Sequence, residues 1–94
     1  MDKLDNSQIN LMNNRCYYQS NIKKFCYKEL SSVIGDLTQN NPFALTELQK
    51  NAWIEQTKLL QQNLVQFPNA HIFFEYLIPR MGKRVDNIII CELD

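Results

Sequence analysis

A chain of 94 residues, 45% hydrophobic and with a formal net charge of zero, makes one domain near the lower limit of what supports its own core. That composition excludes wholesale disorder, and the charge balance excludes a globally electropositive surface while leaving room for a local basic patch. The first fifteen residues are polar and Asn-rich, unlike a signal peptide, and no apolar run approaches the ~20 residues of a membrane span.

Three cysteines, Cys16, Cys26 and Cys91, lack the close paired spacing of zinc sites and read as the small, reduced apolar thiols of a cytoplasmic protein. His71 is the sole histidine. It is a thin basis for a metal site or for a nucleophile–histidine pair.

Taken in order, residues 1–19 read as a loosely ordered lead-in whose Tyr17 and Tyr18 dock on the core. From Ser20, placed as an N-cap, Ile22, Phe25, Cys26 and Leu30 recur at helical steps. A second short helix starts at Ser31 or Ser32, carries Val33, Ile34 and Leu37, and ends before Asn40. Asn40-Asn41-Pro42 is a breaker. Thr46 and Gln49 form a capping-box pattern that opens the longest helix, Thr46 to Gln66. At 100° per residue, Leu45, Leu48, Ala52, Leu59, Leu60 and Phe67 gather on one face, Trp53 and Leu64 widen it, and Glu55 falls on its margin.

Pro68-Asn69 closes that helix, and residues 72–78 alternate as an apolar strand with one acidic break at Glu75. Pro79 and Gly82 set a reversal that carries Arg80, Lys83 and Arg84. Val85 to Leu93 is then a second strand, and Ile88-Ile89-Ile90 suggests burial on both faces, as in a central strand. Asp86 interrupts it. An ionised carboxylate is costly to bury unless paired, hydrogen-bonded or holding a metal, so this residue is either a structural ion pair with Lys83 or Arg84 or part of a site. The expected architecture is α+β: N-terminal helices and one long helix packed on a β-hairpin. Two strands make a poor sheet, and the apolar second strand leaves an edge in want of a partner.

The blocks NNPFALTELQKNAWIEQTKLL and FFEYLIPRMGKRVDNIIIC together resemble the N-terminal nuclease-like region of bacterial proteins that carry a Schlafen group-3-like DNA/RNA helicase domain. That region is similar to the restriction-endonuclease-like, PD-(D/E)xK superfamily. The resemblance covers roughly residues 17–94. It implies a single partial nuclease-like domain, an incomplete restriction-endonuclease-like core, in which Asp86 matches the metal-binding Asp and Glu55 the acidic residue that a helix contributes. The Glu-x-Lys of the third strand has no match. Glu92 is six residues from Asp86, roughly 20 Å along a strand, too far to share one Mg²⁺ with it.

In such a site carboxylates hold a divalent metal that polarises the phosphodiester and generates hydroxide, so Asp86 and Glu55 are the expected catalytic and metal-binding residues and Mg²⁺ the expected cofactor once the site is completed. Arg80, Lys83 and Arg84 suit phosphate contacts to nucleic acid; a solvated turn is their plainer reading. Two functions stay open. One is the leading part of a metal-dependent nuclease-like module from a helicase-associated protein, inactive until the remainder of a longer chain completes its site. The other is a small non-catalytic binding protein that pairs through an exposed strand edge with a partner or with itself.

Overall fold

Asn21 ends one element and starts the next. Its side-chain oxygen accepts from the Lys24 N–H at 2.8 Å and caps helix α1 (Ile22–Tyr27), while the residues before it form strand β1 (Tyr18–Asn21). Ser20, the expected cap, lies within that strand instead. The structure is a computed structural model that describes residues 15–78 and 80–91. The lead-in over residues 1–14 and the expected strand end at Leu93 lie outside the described residues.

Helix α2 (Leu30–Asn40) and helix α3 (Glu47–Asn63) follow. Thr46 caps α3 as its sequence requires, accepting from the Gln49 N–H at 3.1 Å. The chain then forms β2 (His71–Ile78) and β3 (Lys83–Ile90). Gly82 makes the reversal between them with φ at 61°, a left-handed conformation that glycine adopts without steric cost. Its N–H and that of Met81 both donate to the Ile78 carbonyl.

The fold is α+β, and the described residues form three helices and an antiparallel sheet of order β1-β2-β3. β1 was not expected as a strand, and its presence changes the sheet. It pairs Tyr18 with Phe74 and Asn21 with His71, so among the described residues β2 is the central strand and β3 an edge. Ile88 and Ile90 are half-buried and Ile89 is 38% exposed. The burial on both faces expected of this triplet falls instead to Ile72, Phe73 and Phe74 of β2.

The helices cover the sheet face that carries Ile72 and Phe74. These two join Tyr17, Tyr18, Ile22, Phe25, Val33, Ile34, Leu37 and Trp53 in one buried cluster. Tyr18, Phe25 and Phe74 form an aromatic triangle with centroids 5.7–6.2 Å apart, a separation that favours tilted and edge-on packing. Helix α1 has only six residues, too few to hold itself together. Gln61 of α3 ties down its end, donating to the carbonyls of Phe25 and Lys28 at 2.9 Å each.

Helix α3 is turned from its expected orientation. Trp53 and Thr57 are buried, with Leu60 and Leu64 packed against the core, whereas Leu48 is 82% and Leu59 61% exposed. The buried line lies roughly a third of a turn from the line through Leu48, Ala52 and Leu59. Trp53 decides this: its ring is the largest apolar surface on the helix, and its N–H finds an acceptor in the sheet.

Candidate functional site

Asp86 is exposed on β3, so the expectation of a buried carboxylate is not met. The reason is the sheet order, since on an edge strand a side chain meets a neighbour on one side only. The ladder also breaks at this point. Cα pairing runs from Phe74↔Asn87 to Tyr76↔Val85 and skips Glu75 and Asp86. Among the described residues Asp86 has no ion-pair partner, so the alternative of a structural pair with Lys83 or Arg84 is not realised either.

Glu55 is exposed on α3 and lies 3.9 Å from Lys58. Two residues along a helix is about 200° of rotation, so with Trp53 turned into the core Glu55 points away from the sheet. The structure therefore does not bring Glu55 and Asp86 to one place. No group of three or more His, Cys, Asp or Glu among the described residues could hold a metal ion. These residues do not fit a Mg²⁺ site.

The three cations are also divided. Arg80 is exposed in the turn, and Lys83 is exposed at the start of β3. Arg84 is engaged within the fold. Its Nη1 donates to the Glu75 carbonyl at 2.7 Å and to the Arg15 carbonyl at 3.4 Å, and its guanidinium stacks 4.3 Å above the Tyr17 ring. Bonds of this kind make it a clasp between β3 and β2.

Around that clasp the structure assembles a site that the sequence flagged only as an acidic break. Trp53 Nε1–H donates to Glu75 Oε1 at 3.1 Å, and Tyr17 meets Trp53 edge-on with centroids 6.5 Å apart. Glu75 has φ at 56°, the left-handed region, which costs a residue with a Cβ about 1–3 kcal/mol. The consequence is a flip of strand parity. In a regular strand residues 73 and 75 share a face, yet here Phe73 packs on Tyr76 at 5.9 Å while Glu75 reaches the helix side. Tyr17, Phe43, Gln49, Trp53, Glu75 and Arg84 line the resulting pocket of about 300 Å³.

A second, larger cleft of about 550 Å³ runs along the outer edge of β1, with Lys24, Lys28, Asp36 and His71 on its walls. His71 Nε2 lies 2.6 Å from Gln19 Oε1, and burial holds the His71 pKa below its usual 6.5. Burial pushes the Tyr18 hydroxyl up, against the opposing pull of its hydrogen bond with Ser20.

The outer edge of β3 is the other chemically open feature. Ile22 N–H donates to the Ala70 carbonyl at 2.8 Å, which sets the alternation along β2: residues 72 and 74 direct their backbone groups to β1, and 71 and 73 theirs to β3. Their register partners Ile90 and Ile88 therefore bond inward. Asn87 and Ile89 direct their N–H and C=O groups outward.

Comparison with known proteins gives no match, whether to a family model, a curated protein or a solved structure. Among the described residues no helix is long and apolar enough to cross a membrane. Fold and site together define a small α+β module whose described residues leave the outer edge of β3 without a paired strand and form a pocket at the break in the central strand.

Proposed function

We propose that this chain is a non-catalytic binding module that adds a strand, from a partner or from a second copy, to the outer edge of β3. One observation carries the reading: among the described residues β3 bonds to the sheet on one side only, and its outward backbone groups at Asn87 and Ile89 lie among three isoleucines of which Ile89 is 38% exposed. Unpaired strand edges of this kind are templates for β-augmentation, in which main-chain bonds give affinity and alternate side chains give register. The cytoplasm is the compartment proposed for it, in keeping with cysteines that lack any paired spacing.

Amide exchange and light scattering test the reading together. Raising the concentration is expected to protect the Asn87 and Ile89 amides and to raise the average mass, and Ile89→Lys is expected to abolish both effects. A protein that stays monomeric at roughly millimolar concentration, with these amides unprotected and no change on adding a peptide copy of 83–90, would sink it.

The second reading, a nuclease half-module, is favoured by Asp86 lying on this same open strand, where an added strand with Glu-x-Lys would run beside it. Its test is complementation with such a segment. Divalent-metal-dependent cleavage that disappears in Asp86→Ala supports it, and an inactive complemented protein ends it.

A further inference from the structure

The pocket at the strand break has an unusual composition. Its charged members are one carboxylate and one guanidinium, Glu75 and Arg84, and the guanidinium spends its near bonds on backbone carbonyls rather than on the carboxylate. Among the described residues no cation lies within ion-pair distance of Glu75. Of the roughly four lone-pair sites on a carboxylate, the Trp53 N–H occupies one.

We propose that this pocket binds a small zwitterion, a free α-amino acid, with its ammonium group on Glu75 and its carboxylate on the remaining N–H donors of Arg84. Three features select that class. Opposite charges of equal magnitude line the pocket, so a simple anion or a simple cation meets one attractive and one repulsive group, while a dipolar ion meets two attractive ones. Its volume of about 300 Å³ is at the small end of ligand sites, which suits a single amino acid. Among its aromatic walls Tyr17 and Trp53 are buried, while Phe43 is 74% exposed, so the Phe43 ring is the aromatic surface that an apolar ligand side chain would cover. The strained backbone of Glu75 fits the same account: the left-handed turn takes this carboxylate from the face it would share with Phe73 and directs it to the Trp53 side.

Trp53 is the only tryptophan in the chain, and its ring nitrogen touches the proposed ligand-binding carboxylate, so its fluorescence reports on the pocket directly. Titration of the full chain with free leucine is expected to give a saturable change in emission in the millimolar range. N-acetyl-leucine, which lacks the ammonium, and leucinamide, which lacks the carboxylate, are each expected to bind about tenfold or more weakly. Glu75→Gln keeps an acceptor for the Trp53 N–H and removes the charge, and it too is expected to weaken leucine binding about tenfold. The absence of a saturable change with leucine and with phenylalanine up to roughly 10 mM overturns the proposal. Blocked derivatives that bind as tightly as leucine overturn it as well, and so does full affinity in a folded Glu75→Gln. Should that variant lose its far-ultraviolet dichroism, Phe43→Ala takes its place. Removing this exposed ring is expected to weaken leucine binding roughly threefold, and unchanged affinity overturns the proposal.

Discussion

Glu75 occupies the left-handed region at a position where the neighbouring strand residues are extended. Glycine is disfavoured in strands by its entropy, but here it would escape the steric cost that any Cβ incurs. Glu75→Gly is therefore expected to be more stable than Glu75→Ala by about 1 kcal/mol, the reverse of the usual order within a strand, as measured by urea denaturation. Both variants lose the bond to Trp53, so their difference isolates the backbone. Equal stabilities would show that the left-handed turn carries no strain.

Trp53 itself separates packing from bonding. Trp53→Ala is expected to cost about 3–5 kcal/mol, a large share of what a domain of this size has. Trp53→Phe preserves most of the apolar contact, and its expected cost beyond the lost volume is about 1 kcal/mol for the missing N–H donor. A Phe variant as damaged as the Ala variant would place the weight on the hydrogen bond instead.

His71 gives the chain a pH dependence whose sign follows from burial. Its folded-state pKa lies below the unfolded 6.5, so the unfolded chain takes up the proton first and folding loses ground as pH falls. Stability is expected to be complete above about pH 6.5 and to decline below it through the lower folded value. The decline should shrink in His71→Gln. Urea midpoints at pH 7.5 and 5.5 for both proteins measure the effect.

At the scale of an element, α3 shows how a pattern can be right in kind and wrong in phase. Its helical period and its Thr46 cap were legible. Its buried line was legible only in part: Leu45 and Leu60 of the expected face and Trp53 and Leu64 on its widened side do meet the core, whereas Leu48, Ala52 and Leu59 of the same face are exposed, and periodicity alone does not rank them. The tryptophan ring wins by area and by its acceptor on β2. Thr57, placed at the centre of the buried line, has no partner for its hydroxyl among the described residues. Thr57→Val is therefore expected to raise stability by about 1 kcal/mol, whereas Leu59→Gln on the exposed stripe is expected to stay within about 0.5 kcal/mol of the parent. A destabilised Thr57→Val would mean that the hydroxyl has a partner, such as ordered water.

At the scale of the whole molecule, the decisive event is the pairing of β1 with β2. A four-residue strand takes one side of the sheet's most apolar strand, which moves β3 to the edge. The isoleucine triplet then has one neighbour rather than two, and Asp86 meets solvent rather than a buried cavity. The expected metal pair fails at this level too, since the rotation of α3 that buries Trp53 turns Glu55 outward. The proposed association would use the outward backbone groups of Asn87 and Ile89, whereas the proposed ligand would use the side chains of Glu75 and Arg84 at the strand break. Ile89→Lys is accordingly expected to leave leucine binding at Trp53 unchanged, which the fluorescence titration checks.

Local chemistry in the sequence determined the α+β class, the helical and hairpin segments, the Thr46 cap and the Gly82 reversal, because caps, turns and periodicities act over a few residues. It also singled out Glu75 as an acidic interruption without saying what it serves. Only the tertiary structure decided which strand is central, which face of α3 is buried and which charges meet. Those outcomes depend on the area that distant segments bury against one another, and Trp53 with Glu75, or Arg84 with Tyr17, are neighbours that no spacing along the chain encodes.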